Sequence, residues 1–190
     1  MISAGTVQSI GTGSNAAKIT VHGSGDPGYS SGVIIESRDT LITSVDGDIS
    51  LSGAGGGYTA GIRINGGTLI QSTGTTSNAA TINIHGMSAP DGSIGVGLEE
   101  IGTAVTSHSG DIQITGEGIS IKDAVVASTG SGSTAAKITI EGMPAGVTRV
   151  VLSDSQLTSV DGDIVIAGVG GSQDWRSRGV DRFGPRRGGN

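Results

Sequence analysis

Ser107-His108-Ser109-Gly110-Asp111-Ile112-Gln113-Ile114-Thr115-Gly116 ends with isoleucine at alternate positions and closes on a glycine. A period of two is the signature of a strand with one face buried and one in water. The same ending occurs six times, closing on Gly23, Gly53, Gly86, Gly116, Gly142 and Gly168. The first residue is Ile in every copy: Ile19, Ile49, Ile82, Ile112, Ile138 and Ile164. Successive closing glycines lie 30, 33, 30, 26 and 26 residues apart. Periods of this size mark stacked repeat architectures.

A second landmark sets the register. An aliphatic residue with Ser two positions later precedes every segment, as Val7/Ser9, Ile42/Ser44, Ile70/Ser72, Val105/Ser107, Val126/Ser128 and Leu157/Ser159. From that Ser to the closing Gly the distance alternates 14, 9, 14, 9, 14, 9. Long and short coils therefore alternate, and the long form inserts turn residues such as Thr75-Thr76-Ser77-Asn78-Ala79-Ala80. A third short strand opens each rung at Gly32–Ile35, Gly61–Ile64, Gly95–Leu98 and Gly118–Ile121, with Val147 to Leu152 aligned more loosely. The opening Ile2 to Val7 also has strand character. The expected fold is all-β: a single-stranded parallel β-helix, taken as right-handed, of about six coils of 26–33 residues with three short strands each. It spans residues 1–183, with coils truncated at both ends, and residues 184–190 form a disordered basic tail.

The composition agrees with a thin stacked core. Gly accounts for 36 of 190 residues, Pro for 4, and aromatic residues for 4. Ile, Val and Leu must fill the interior, which disfavours a conventional α/β enzyme core. Collagen would need Gly at every third position. A hydrophobic share of 34% with 15% charged residues is not that of a disordered chain. With no Cys, disulfides and thiolate sites are excluded. The formal charge is −6, but five of the 11 basic residues lie in the last 15 positions, so the chain before Asp174 carries about −9. Such a body repels nucleic acid, whose binding is driven by phosphate neutralisation. Neither a signal-peptide pattern nor an 18-residue apolar run occurs, so no membrane span is expected.

The unit apolar-x-Ser followed by Gly-Asp-Ile-x-[Leu/Ile]-x-Gly, at Ile42–Gly53, Val105–Gly116 and Leu157–Gly168, resembles the repeats of filamentous-haemagglutinin-like and autotransporter-type bacterial surface proteins. The resemblance covers residues 5 to 168. It implies an exported adhesin or stalk, extracellular or at the cell surface, with an outer-membrane secretion partner. The Asn-Pro-Asn-type secretion domain and the carboxy-terminal barrel of such proteins are not found in this sequence, so the chain is expected to be a fragment of a longer one.

Candidate chemistry is weighed against that register. His22 and His85 share a repeat position but stand two coils apart, about 9 to 10 Å, too far to share a metal. Calcium sites of the nonapeptide type need Gly-Gly-x-Gly-x-Asp, which the lone run Gly55-Gly56-Gly57-Tyr58 lacks. Asp46/Asp48 and Asp161/Asp163 could serve a polysaccharide lyase or hydrolase, but Asp also suits the turn before a strand. Their column, Lys18, Asp48, Thr81, Asp111, Lys137, Asp163, avoids stacking like charges. The Ser ladder points inward with no recurring base beside it. Arg63 and Arg149 are basic residues in strands with no carboxylate assigned to them. Tyr29 and Tyr58 each stand three residues before a strand-opening Gly, on adjacent coils near Asp26; packing of one ring on the next is the favoured reading, and these three are also the candidate ligand-binding residues for glycan stacking. No catalytic residue, metal or cofactor is expected. The variable loops Ser24–Ser31, Ala54–Thr59 and Ser88–Ser93 are the candidate contacts for glycans or cell-surface proteins. Function is expected to be non-enzymatic, with an enzyme on the same scaffold and a ligand-free spacer as alternatives. An enzyme would need an acidic cluster that departs from the repeat.

Overall fold

A computed structural model describes residues 1–89, 94–143 and 149–168. Trp175, the basic tail and positions 90–93 of the third variable loop lie outside the described residues. Within them the chain winds as a parallel β-solenoid with three strands per turn, about five turns running through six stacked rungs. The first rung holds β1 (Ile2–Ser3), β2 (Thr6–Ser9) and β3 (Ile19–Ser24). Above it come β4 (Val33–Glu36), β5 (Leu41–Ser44) and β6 (Ile49–Ala54), then β7 (Ile62–Ile64), β8 (Leu69–Ser72) and β9 (Ile82–Met87). The fourth rung holds β10 (Val96–Glu99), β11 (Ala104–Ser107) and β12 (Ile112–Gly116). The last two hold β13 (Ile119–Lys122), β14 (Val125–Ser128), β15 (Ile138–Gly142), β16 (Val150–Ser153), β17 (Gln156–Ser159) and β18 (Ile164–Gly168). Every third strand pairs in parallel, giving three six-stranded sheets. No helix among the described residues is long and apolar enough to cross a membrane.

The register places like on like. Ile19, Ile49, Ile82, Ile112, Ile138 and Ile164 are hydrogen-bonding neighbours in one sheet, and Val7, Ile42, Ile70, Val105, Val126 and Leu157 in another. Interior members such as Ile49, Ile82, Ile112 and Ile138 are fully buried. Each contributes about 1.5–3 kcal/mol of apolar burial. The Ser column also turns inward, as read from sequence. Ser44 and Ser107 donate to the Gly47 and Gly110 carbonyls, and Ser9 donates to Ala17 O at 2.6 Å. The hydroxyls of Ser72, Ser128 and Ser159 have no hydrogen-bond partner among the described residues.

Two kinds of corner shape the triangle. Where the third sheet returns to the first, closing and opening glycines face each other, and a methyl group on Gly86 would overlap the Gly95 carbonyl. From the first sheet to the second, every coil bends through a positive φ: Ala4 (50°), Ser37 (90°), Gly66 (70°), Glu100 (78°), Asp123 (52°) and Asp154 (49°). Only Gly66 adopts this region without a steric cost. The stretch expected as one strand from Ile2 to Val7 is therefore split at Ala4. In the wider bends a buried Thr closes the turn, with Thr68 Oγ1 donating to Asn65 O (2.8 Å) and Thr103 Oγ1 to Glu99 O (2.7 Å).

Candidate functional site

The glycine-rich corner between the third and first sheets also builds the most distinctive surface feature. Loop Gly55-Gly56-Gly57 lies directly on the Asp26-Pro27-Gly28 backbone of the coil beneath, so closely that a Cβ on Gly56 would collide with the Asp26 carbonyl. The Gly56 N–H donates to Ser30 O (2.9 Å), and the Gly25 N–H donates to Ala54 O (2.8 Å). Thr59 Oγ1 donates to Gly56 O (2.7 Å) and closes the turn that carries Tyr58. Tyr58 is thereby laid over Tyr29, with ring centroids 5.8 Å apart and planes 21° from parallel. The pair is not a core element, since Tyr29 is 80% and Tyr58 63% exposed. Asp26 is exposed beside it, and the group it engages is its backbone N–H, which donates to Ser30 Oγ (2.6 Å).

Tyr58 also forms one wall of an open groove of about 550 Å³ that includes Ser31, Arg63, Gly97, Glu99 and Arg149. In the sequence alone neither Arg63 nor Arg149 has a carboxylate assigned to it. Arg63 projects outward from the middle of β7 and pairs with Glu99 at 3.6 Å. The register, loose in sequence around Val147 to Leu152, pairs Ile119 with Val150. Arg149 therefore occupies the column otherwise held by Gly32, Gly61, Gly95 and Gly118. On the outward face the column Ile34, Arg63, Gly97, Ser120, Val151 loses its side chain at Gly97, and that gap forms the groove floor. The signal that could have found the groove is these two departures from the repeat.

The other candidates serve the scaffold. Asp46 accepts from the Gly13 N–H (2.6 Å) and Asp161 from the Gly132 N–H (2.8 Å), so both carboxylates cap a long loop on the neighbouring coil. Asp48 accepts from the Thr81 N–H (3.2 Å) and Asp111 from the Lys137 N–H (2.8 Å). Lys18 and Asp48 meet at 2.8 Å in the column where opposite charges were expected. His22 is bonded through Nδ1 to Ser52 Oγ (2.8 Å) and His85 to Thr115 Oγ1 (2.9 Å), each pair bridging adjacent coils. Among the described residues no group of three or more His, Asp or Glu is placed to hold a metal ion. Alternation of long and short coils leaves a second, polar depression of about 250 Å³ over Ser109-Gly110-Asp111, between two long loops.

No family model, curated protein or solved structure matches this chain. The solenoid is thus established by its own register.

Proposed function

We propose that the chain is a non-enzymatic segment of a secreted or cell-surface bacterial adhesin. It acts as a stiff stalk that carries a carbohydrate-binding patch on its glycine-rich corner. The observation that carries this reading is the exposed Tyr29–Tyr58 stack, held by backbone contacts that leave both rings available. Tyrosine offers a large, rigid, amphipathic face at low entropic cost, suited to the C–H face of a sugar ring. The repeat resemblance adds the surface setting. The carboxylates of Asp46, Asp48, Asp111 and Asp161 are engaged in tying coils together, which supports binding rather than hydrolysis.

Glycan-array binding of the purified protein and of Tyr29→Ala and Tyr58→Ala tests the reading. Binding to a defined set of glycans should be lost in both variants while the β-sheet circular-dichroism spectrum persists. Array signals that survive both substitutions would remove the tyrosine platform from the account.

A further inference from the structure

We infer that the glycine-rich corner selects an acidic sugar, with Tyr58 supplying the stacking face and Arg63 and Arg149 binding carboxylates along the groove. This rests on the carbohydrate reading above and adds the ligand class. The groove sits on a body of strongly negative charge, yet its described lining brings together two of the six basic residues that precede Asp174. The Arg149 guanidinium has no ion-pair or hydrogen-bond partner among the described residues, its carbonyl alone accepting from the Ile119 N–H (2.9 Å), and Arg63 shares its charge with Glu99 across 3.6 Å. A guanidinium presents a planar fork of donors that matches a carboxylate in two parallel bonds. Position in the repeat strengthens the case. Gly is the rule where Arg149 stands and a side chain is the rule where Gly97 stands, so a cation is added and space is opened at the same place.

The register also sets the size of the ligand. Arg63 in β7 and Arg149, just before β16, belong to rungs three spacings apart, about 14 Å along the stack. A ligand that meets both arginines and Tyr58 is an oligosaccharide with charge on more than one unit, not a free small anion. Glu99 lies beside Arg63, where it opposes an incoming carboxylate.

The test is titration calorimetry of the 190-residue protein with uronic-acid oligosaccharides and with their methyl esters, which keep the sugar but remove the charge. The acid form should bind and weaken as salt is raised. Arg63→Gln and Arg149→Gln should each weaken it by about tenfold or more, the loss of one charge-assisted contact. Glu99→Gln should bind the acid form more tightly. Gly97→Leu gives an independent arm: the atoms nearest its Cβ belong to the flexible Glu99 side chain, 3.6 Å away at Oε1, so the groove floor is filled and binding should be lost while the β-sheet circular-dichroism spectrum persists. Equal affinity for acid and ester, abolished only by the Tyr substitutions, would overturn the acidic-sugar inference and leave the carbohydrate reading intact. Absence of binding to acid, ester and every arrayed neutral glycan would overturn both.

Discussion

Two glycines eleven positions apart should respond in opposite directions to the same added methyl group. At Gly86 a Cβ would overlap the Gly95 carbonyl oxygen, with Gly95 C at 2.5 Å and Val96 Cγ2 at 2.7 Å. The obstacle is backbone, and Gly95 is itself wedged against Glu117 and Gly86, so the corner has no cheap way to open. Overpacking of this kind costs about 1–3 kcal/mol or more, and the entropy removed from the unfolded chain returns only about 0.4–1 kcal/mol. Gly86→Ala should therefore be destabilising by about 2 kcal/mol. At Gly97 the nearest atoms belong to the Glu99 side chain, none closer than 3.6 Å, and the residue sits mid-strand in β10 without a positive φ. Gly97→Ala should be stabilising by roughly 0.5–1 kcal/mol, because Gly weakens a strand interior. For a chain of this length each kcal/mol moves the midpoint by about 2–4 °C, so the two variants should part by several degrees on either side of the parent in thermal melts followed by circular dichroism. Midpoints that move together, or a Gly86→Ala protein as stable as the parent, would refute the facing-glycine corner.

Three further outcomes follow from the same geometry. Ile112→Ala empties a fully buried site between Ile82 and Ile138 and should cost about 2–5 kcal/mol in urea unfolding, with a clear loss of midpoint. Ser37→Gly relieves a non-glycine residue at φ 90° and should raise the melting midpoint by a degree or more, whereas Gly66→Ala at the equivalent bend should lower it. Lys18→Met breaks the 2.8 Å contact with Asp48, but both groups are substantially exposed, so unfolding should change by no more than about 0.5 kcal/mol, and that difference from the parent should shrink as salt is raised.

Most of the architecture is legible because the solenoid repeats its core along columns. The Ile at the head of each third-sheet strand and the Ser that ends each second-sheet strand carry the register in their spacing, and the 14/9 alternation corresponds to long loops and tight corners. The bend after the first sheet is different. Ala, Ser, Gly, Glu and two Asp all occupy its positive-φ position, so residue type carries almost no signal for a conformation imposed by the strands on either side. The Tyr29–Tyr58 pairing was readable, since both residues stand at one offset from an opening glycine. The groove was not. Connections from the third sheet to the first range from two residues, Glu117 and Gly118, to eight, which blurs the alignment of Arg149 until strand pairing fixes it. A site made by exceptions to a repeat becomes visible only when the repeat is placed in space.

The chain contains two tyrosines, so ring resonances of Tyr29 and Tyr58 can be assigned by single substitution and followed by NMR as a uronic-acid oligosaccharide is added. Tyr58 ring signals should shift saturably together with the Arg63 and Arg149 side-chain N–H signals, with Tyr29 following through the stack. Saturable sugar binding that leaves both tyrosine rings unmoved would contradict the stacking role of Tyr58.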